Sequence, residues 1–442
     1  MIRNYRPLTF NKNAADYWMP AVAGMTPGST AVMEHIKTTC CIVGGGPAGM
    51  MLGFLLARAG VDVVVLEKHR DFLRDFRGDT IHPSTLELMY ELGLLDEFLK
   101  MPHQKARHLS GIIGDTSIRI ADFTRLPTHC KFIALMPQWD FLDFLAAQAR
   151  RFPSFQLRMQ AEVTDLIQEG GRAAGVHVKT PDGPLAVVAD LVIGADGRHS
   201  TVRERAGLVV DDLGAPIDVL WMRLSRRPSD GAEPLGRIGA GKILVMLDRG
   251  DYWQCAYVIP KGGLDKLKDE ALEAFLAAIV ELAPEMHDRV HEIKSWDDIK
   301  LLTVKVDRLR KWYRPGLLCI GDAAHAMSPV GGVGINLAIQ DAVAAANRLA
   351  APLRAGMVTE GDLADVQRRR TFPTRATQWI QIQVQNNILS QVLASRKTPA
   401  PPWPVRLLSR CPLLQYIPAR LVGIGFRPEH VRTPELAAAR RG

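Results

Sequence analysis

No apolar run in this 442-residue sequence approaches the roughly 20 residues of a membrane-spanning helix, and residues 1–32 carry no apolar block of the secretion-signal type. A cytoplasmic protein is expected, at most peripheral at the inner membrane face. Cysteine is scarce and scattered. Cys40, Cys41, Cys130, Cys255, Cys319 and Cys411 form no C-x-x-C pair and have no histidine at metal-ligand spacing, which argues against a disulfide framework and a metal site. Cys40, Cys41 and Cys319 lie inside apolar runs, where a thiol behaves as a small hydrophobe, so all six are expected to be reduced and structural. Aromatic residues are few, 7%, and no aromatic-basic interleaving of a nucleic-acid module appears. The net charge of +8 comes from the tail: residues 353–442 hold fourteen Lys/Arg against five acids and residues 1–32 three against one, which leaves the body mildly acidic. A nucleic-acid partner is therefore not expected.

What the chain does contain is enough apolar residue, 47%, and enough length for two domains with cores of their own. Residues 1–32 show no periodicity and include AVAGMTPGST, so they are expected to be disordered or foreign to the native protein, with Met33 as the true start. Thr38–Val43 (TTCCIV) reads as a buried strand, GGGPAG as a turn, the Ala/Leu/Met-rich stretch to Ala59 as a helix, and Val61–Leu66 as a second buried strand closing on Glu67. In this β-α-β unit Gly44, Gly46 and Gly49 form G-x-G-x-x-G. Gly44 permits the turn, Gly46 lets backbone approach a pyrophosphate, and Gly49, helped by Gly53, lets helix pack on strand. Glu67 stands where an acid hydrogen-bonds a ribose. Dinucleotide binding follows.

Two further glycine–acid signals come later. Leu185–Gly194 runs into IGADGRHSTVR, a strand, a turn at Asp196-Gly197 and a helix opened by Ser200, Thr201 and Arg203. Leu317–Ile320 is an apolar run that stops at Gly321-Asp322, and a loop holding Pro329, Gly331, Gly332 and Gly334 leads to a helix near Ile335-Asn336. Free N–H groups at such a helix start suit an anion, or a polar ring that becomes anionic. Between these signals Gln156–Val178 reads as a hairpin or meander. Residues from about 213 to 257 (VLWMRL, KILVML, WQCAYVI) alternate as an antiparallel sheet, with a helix over Asp269–Ala283 and a strand over Lys300–Val306. The tail reads as helical through Leu363–Ala394, is broken by PAPPWP, and continues as apolar residues mixed with Arg406, Arg410, Arg420 and Arg427.

Taken together, GGGPAG with Glu67, GADG with Arg203, and GDAAHAMSPVGGVGIN resemble the class A flavoprotein monooxygenases, the group of para-hydroxybenzoate hydroxylase and the ubiquinone-biosynthesis hydroxylases; the resemblance spans roughly Lys37–Ala350. It implies an α/β (α+β) fold: a Rossmann-like FAD-binding domain (33–110, 136–212, 306–352), an inserted, mainly antiparallel substrate domain (111–135, 213–305) and a basic, helical C-terminal region (353–442). It implies FAD held by Gly44, Gly46, Pro47, Ala48, Gly49, Glu67 and Lys68 at the adenosine and pyrophosphate end. Arg77 and Gln138 would hold the ribose, phosphate or ribityl region, and Asp196, Gly197 and Arg203 the element shared with reduced nicotinamide. Gly321 and Asp322 would meet the ribityl chain, and Pro329, Gly332, Val333, Gly334, Ile335 and Asn336 the ring. NADH or NADPH and O2 are the implied co-substrates, and oxygen transfer through a flavin C4a-hydroperoxide the implied reaction. The cofactor would then carry the chemistry, which accounts for the lack of a catalytic triad or paired carboxylate.

Many members of the group read G-G-Q-G-M-N in the last loop; the apolar Val333 here fits a lipophilic, aromatic or polyketide-like substrate. A reductase, dehydrogenase or epoxidase acting on an isoprenoid or other double bond is the alternative reading, and a flavin-binding protein without turnover a third. His82 and His325 are weak catalytic candidates, read first as positioning and packing residues. Strand alternation allows at most half of Trp221, Met222, Tyr252, Trp253 and Tyr257 to line a pocket, and Arg223 reads as solvated. The tail is expected to pack on the nucleotide domain, with a membrane-surface patch as the rival reading. A monomer or homodimer is expected.

Overall fold

The computed structural model describes residues 34–73, 80–230 and 236–436; the expectations for residues 1–32, for Met33 and for Arg77 lie outside the described residues. The TTCCIV run is the inner part of strand β1 (Glu34–Val43), and VVVLE forms β2 (Val63–Glu67). Helix α1 (Pro47–Arg58) joins them, opening on a proline that has no N–H to leave unpaired. It lies close on the sheet: a Cβ at Gly53 would come within 2.8 Å of Val65 and 3.1 Å of Phe155.

Parallel pairing extends this unit on both sides. Strand β3 (Phe155–Met159) pairs with β2, β4 (Gly183–Gly194) with β1, and a late strand, Leu317–Cys319, with β4. The meander expected over Gln156–Val178 is thus only partly realised. Its first strand is β3, drawn to the edge of the parallel sheet where Phe155 is buried, and only Glu162–Glu169 and Arg172–Thr180 form the antiparallel excursion that returns in β4. Val43 is level with Gly194, and Gly194 with Cys319. Three strands therefore end on one line, and each is followed by one of the three glycine signals.

A seven-stranded sheet, mostly antiparallel, holds β5 (Ile217–Ser225), β6 (Tyr252–Pro260) and Lys242–Asp248, together with the early strands His108–Ile113 and Thr116–Asp122. One of its faces (Leu220, Met222, Leu224, Trp253, Cys255, Tyr257) forms a core with α5 (Leu272–Leu282). The last strand stops at Leu302, short of the expected Val306, because the Asp218 carboxylate takes the Val304 N–H (2.9 Å) and the Lys261 ammonium (2.8 Å) in place of a ladder.

Strand β7 (Leu317–Cys319) leads through the third glycine loop to α6 (Gly334–Arg354) and, past a Thr359/Asp362 capping box, to α7 (Glu360–Val384). A π-helical turn (Gln385–Leu389) ends α7, and α8 (Trp403–Arg410) and α9 (Tyr416–Gly423) follow. Five of the six cysteines are buried and all six are free thiols.

A buried ionic cluster joins these late elements. Asp341 of α6 meets His325 Nε2 at 2.6 Å and Arg370 Nε at 2.8 Å, and accepts the Gly321 N–H at 3.1 Å; Arg370 also reaches Glu429 at 3.3 Å. Burial alone would raise the Asp341 carboxyl, but the facing His325 and Arg370 hold it below the usual carboxylate range. Arg370→Met should cost about 3 kcal/mol in urea unfolding, since it removes the cation shared by two buried acids and leaves Asp341 only with His325 and Glu429 only with Arg369. Asp341 is depressed when folded, so its contribution is complete above the ordinary carboxyl pKa of about 3.9 and fades as pH falls below it. The stability gap between wild type and Asp341→Asn should accordingly stay level from about pH 7 to pH 5 and narrow as the pH falls below about 4. An unchanged midpoint for Arg370→Met at neutral pH would contradict this account.

Candidate active site

Past the common line of strand ends, the three glycine signals touch. Gly44 has φ 106°, and a Cβ there would lie 2.3 Å from the Ala195 carbonyl, so the first turn can close against the second only with glycine. A Cβ at Gly321 would sit 3.1 Å from Ala48 in the first turn of α1 and 3.2 Å from Ala338 in the first turns of α6. The starts of α1 and α6 therefore converge on Gly321. Neither has a side-chain cap or an acidic residue in its first turn, and their N-cap positions are held by Gly46 and Val333, which offer no acceptor. Their first-turn amides, including those of Gly334, Ile335 and Asn336, have no carbonyl four residues back within the helix. Two partial positive charges thus face one place, and at Gly46 nothing lies within 4 Å of where a Cβ would stand.

Glu67, at the end of β2, is buried and accepts the Gly45 N–H (3.0 Å) and the His69 N–H (3.1 Å), which fixes the first turn; Lys68 beside it is exposed. Gln138 is the first residue of α3 (Gln138–Ala149). The Asp196 carboxylate is engaged by its own helix: it accepts from the Ser200 hydroxyl (2.5 Å) and the Val202 N–H (3.1 Å) at the start of α4 (Thr201–Arg205). Burial pushes its pKa up, against those hydrogen bonds. Gly197 turns with φ 84° in open space. Arg203 links two loops, since its guanidinium donates to the carbonyls of Arg198 and Ala323 (3.4 Å for the latter) and lies 3.5 Å from Asp307. Asp322 has a third of its side chain exposed and a distant partner in Arg198, 3.5 Å away.

The Asn336 side chain clamps the third glycine loop. It accepts the His82 N–H (2.9 Å) and the Thr85 hydroxyl (2.8 Å) and donates to the Thr80 carbonyl (3.0 Å), binding α6 to α2 (Pro83–Glu91). Gly332, with φ 62°, would set a Cβ 2.6 Å from Thr80 Oγ1. His82 is fully buried with Nδ1 2.7 Å from the Val422 carbonyl; a carbonyl only accepts, so Nδ1 carries the proton and Nε2 is bare, without a partner. Burial lowers its pKa to about 4, so it is neutral near pH 7 and cannot serve there as an acid. His325 is buried between Asp341 and the Trp312 ring, 4.9 Å away.

Other contacts had no motif to announce them. The polar stripe that runs along α7 into its π-helical turn is buried against the third glycine loop: Gln378 donates to the carbonyls of Asp307 and Ala326, Gln381 to those of Ser328 and Val330, and Gln385 to the Ser328 hydroxyl. Its spacing from Arg370 through Thr374, Gln378, Gln381 and Gln385 is helical, and that was the available signal. On the antiparallel sheet Met222, Trp253 and Tyr257 point into the α5 core, whereas Trp221 packs on the opposite face with Val219, Val245, Ala256 and Val304. Arg223 is exposed, stacked 3.7 Å from the Tyr252 ring centre.

A family model described as an FAD binding domain matches residues 37–379. The chain belongs to this family. It is 34% identical, over 403 residues that make up 90% of this chain and 95% of the relative, to 6-methylpretetramide 4-monooxygenase of Streptomyces rimosus. Among solved structures, a probable FAD-dependent monooxygenase from Pseudomonas aeruginosa superposes with TM-score 0.69 (22% identity, 81% of this chain and 98% of that one). The anhydrotetracycline hydroxylase from Streptomyces rimosus does so with TM-score 0.67 (24% identity, 88% and 76%). The protein is an FAD-dependent monooxygenase of the class A type. Its site fits FAD on its own evidence: two uncapped helix starts, open space at Gly46 and a partly exposed acid at Asp322.

In this flavoprotein Asp322→Ala should weaken FAD retention by roughly 10- to 100-fold, the value of a hydrogen bond to a charged group. The ratio of visible to ultraviolet absorbance after dialysis measures it, and full yellow occupancy of the variant would falsify the assignment.

Proposed function

We propose that the protein hydroxylates a lipophilic aromatic substrate of polyketide type, consuming NADH or NADPH and one O2. The carrying observation is the convergence of the α1 and α6 starts on Gly321, and the likeness to a 6-methylpretetramide 4-monooxygenase supports the substrate class. FAD, when bound, supplies hydride acceptance from the nicotinamide and activation of O2. The chain supplies the surroundings. Gly44, Gly46, Pro47, Ala48 and Gly49 hold the pyrophosphate, Glu67 the adenosine ribose and Asp322 the ribityl chain. The amides of Gly334, Ile335 and Asn336, reinforced by the α6 dipole, stabilise negative charge brought against them. Arg203 and Asp196 act as positioning residues, because their polar atoms are taken up by Asp307, Ser200 and neighbouring backbone.

The apolar Val333 and the sheet face around Trp221, Val245 and Ala256 favour an apolar substrate. The segment after α7 spans from the third glycine loop to that sheet: Gln385 holds Ser328 at 2.6 Å, and Val392 packs with Ile217, Ile243 and Val258. A panel of polycyclic phenols offered under labelled O2 tests the reading. Nicotinamide oxidation stimulated by one of them, with a single labelled oxygen in the product, is expected, and products free of label across the panel would sink it.

The C-terminal region supports contact with a membrane surface. Trp403 (71% exposed), Leu407 (50%), Leu413 (73%) and Ile417 (56%) stand out from α8, α9 and the turn between them, among Arg406, Arg410 and Arg420. Ala419 and Ile424 meanwhile pack on Phe123 and Leu126, so the segment is anchored on its other side. No helix among the described residues is long and apolar enough to cross a membrane. Full-length protein should float with vesicles containing anionic lipid, and Trp403→Ser with Leu407→Ser should leave most of it in the soluble fraction. Equal flotation of the two proteins would remove the contact.

A further inference from the structure

A cavity of about 280 Å³ lies between the strand Asp307–Leu309 and α7, apart from the glycine loops, and three arginines, Arg308, Arg310 and Arg375, are among the residues that line it. Asp211, the acidic residue of its wall, is paired with Arg310 at 2.7 Å. The guanidinium groups of Arg308 and Arg375 have no hydrogen bond or ion pair among the described residues. Thr374, 1% exposed, also lines the cavity, and its hydroxyl is buried without a partner. The remaining polar groups are already engaged: Gln367 accepts the Trp312 N–H (3.0 Å) and donates to the Arg310 carbonyl (2.9 Å), and the Thr371 hydroxyl donates to the Gln367 carbonyl (2.7 Å).

What is left over, among the residues that line a space of small-molecule size, is two unpaired positive charges and one unmatched hydroxyl. A buried hydroxyl is rarely left unmatched, and guanidinium groups match the paired oxygens of carboxylates and phosphates. We propose that this cavity binds a small, doubly charged oxyanion of the phosphate-ester or dicarboxylate kind. The site has a link to the third glycine loop. Its indole wall, Trp312, packs on His325, and His325 shares the Asp341 carboxylate with the Gly321 N–H. The inference stands apart from the proposed reaction, since none of the residues that would hold FAD or substrate lines the cavity.

Isothermal titration of the full-length, FAD-loaded protein in a phosphate-free buffer, with inorganic phosphate in one arm and malonate in the other, tests the site. Saturating FAD beforehand removes the pyrophosphate cradle as a source of heat. Saturable binding at one site is expected for at least one anion, and the preferred arm identifies the head group as phosphoryl or dicarboxylate. Arg308→Gln with Arg375→Gln should weaken it by about tenfold or more, and Thr374→Val by several-fold, with FAD content unchanged. Arg375 is exposed, so Arg375→Gln alone keeps the test valid should the double variant misfold. Absence of saturable binding in both arms, or equal affinity in the arginine variants, overturns the proposal.

Discussion

Val43, Gly194 and Cys319 stand side by side where β1, β4 and β7 end, and the arrangement of the site follows from the way the chain leaves that line. Three loops must pass one another within a few ångströms, which leaves no room for side chains at Gly44 or Gly321. Two of the loops feed straight into helices whose starts have no caps. In an ordinary helix such open amides would be a defect, worth about 1 kcal/mol for each missing cap. Here they occur twice, at helices that meet, so the uncapped ends form a common feature with an affinity for negative charge.

Holding a glycine-rich loop against that line requires support from elsewhere, because the loop has little side-chain packing of its own. The support is polar. Asp341 fastens the loop at Gly321, Asn336 fastens it to α2, and the glutamines of α7 take up the carbonyls of Ala326, Ser328 and Val330. Each bond contributes modestly, on the order of 1 kcal/mol, yet breaking one leaves a buried group unmatched at greater cost. The loop is therefore held in one conformation by a set of contacts that are difficult to remove singly.

Much of this was legible in the residues, and what was not has a physical reason. The strands ending at Val43 and Gly194, the turn chemistry of GGGPAG and GADG, and the helix beginning near Gly334 are local patterns, written in consecutive positions. The departure of β3 from its hairpin depends on a long-range contact between Phe155 and Gly53, which no local pattern carries. Asp196 illustrates a different limit: its position was readable, but the direction of its carboxylate was decided by Ser200 and Val202. The α7 stripe was readable as polar and helical, but a polar stripe is usually solvated, and only the open carbonyls of a remote loop make burial favourable.

The thiols in the middle of the sheet bear on how long such an enzyme lasts. Where a monooxygenase handles O2 stray peroxide can form, and peroxide attacks thiolate far faster than thiol. Burial pushes Cys41 and Cys255 up to about 12 and holds Cys40 and Cys319 well above the usual range, so hardly any of these sulfurs is ionised. Cys319 ends the strand that leads into the third glycine loop, and there a sulfinate would push against Gly194, whose added Cβ would already lie 3.0 Å from Sγ. A sulfur kept protonated and out of solvent at that point is a poor target for peroxide.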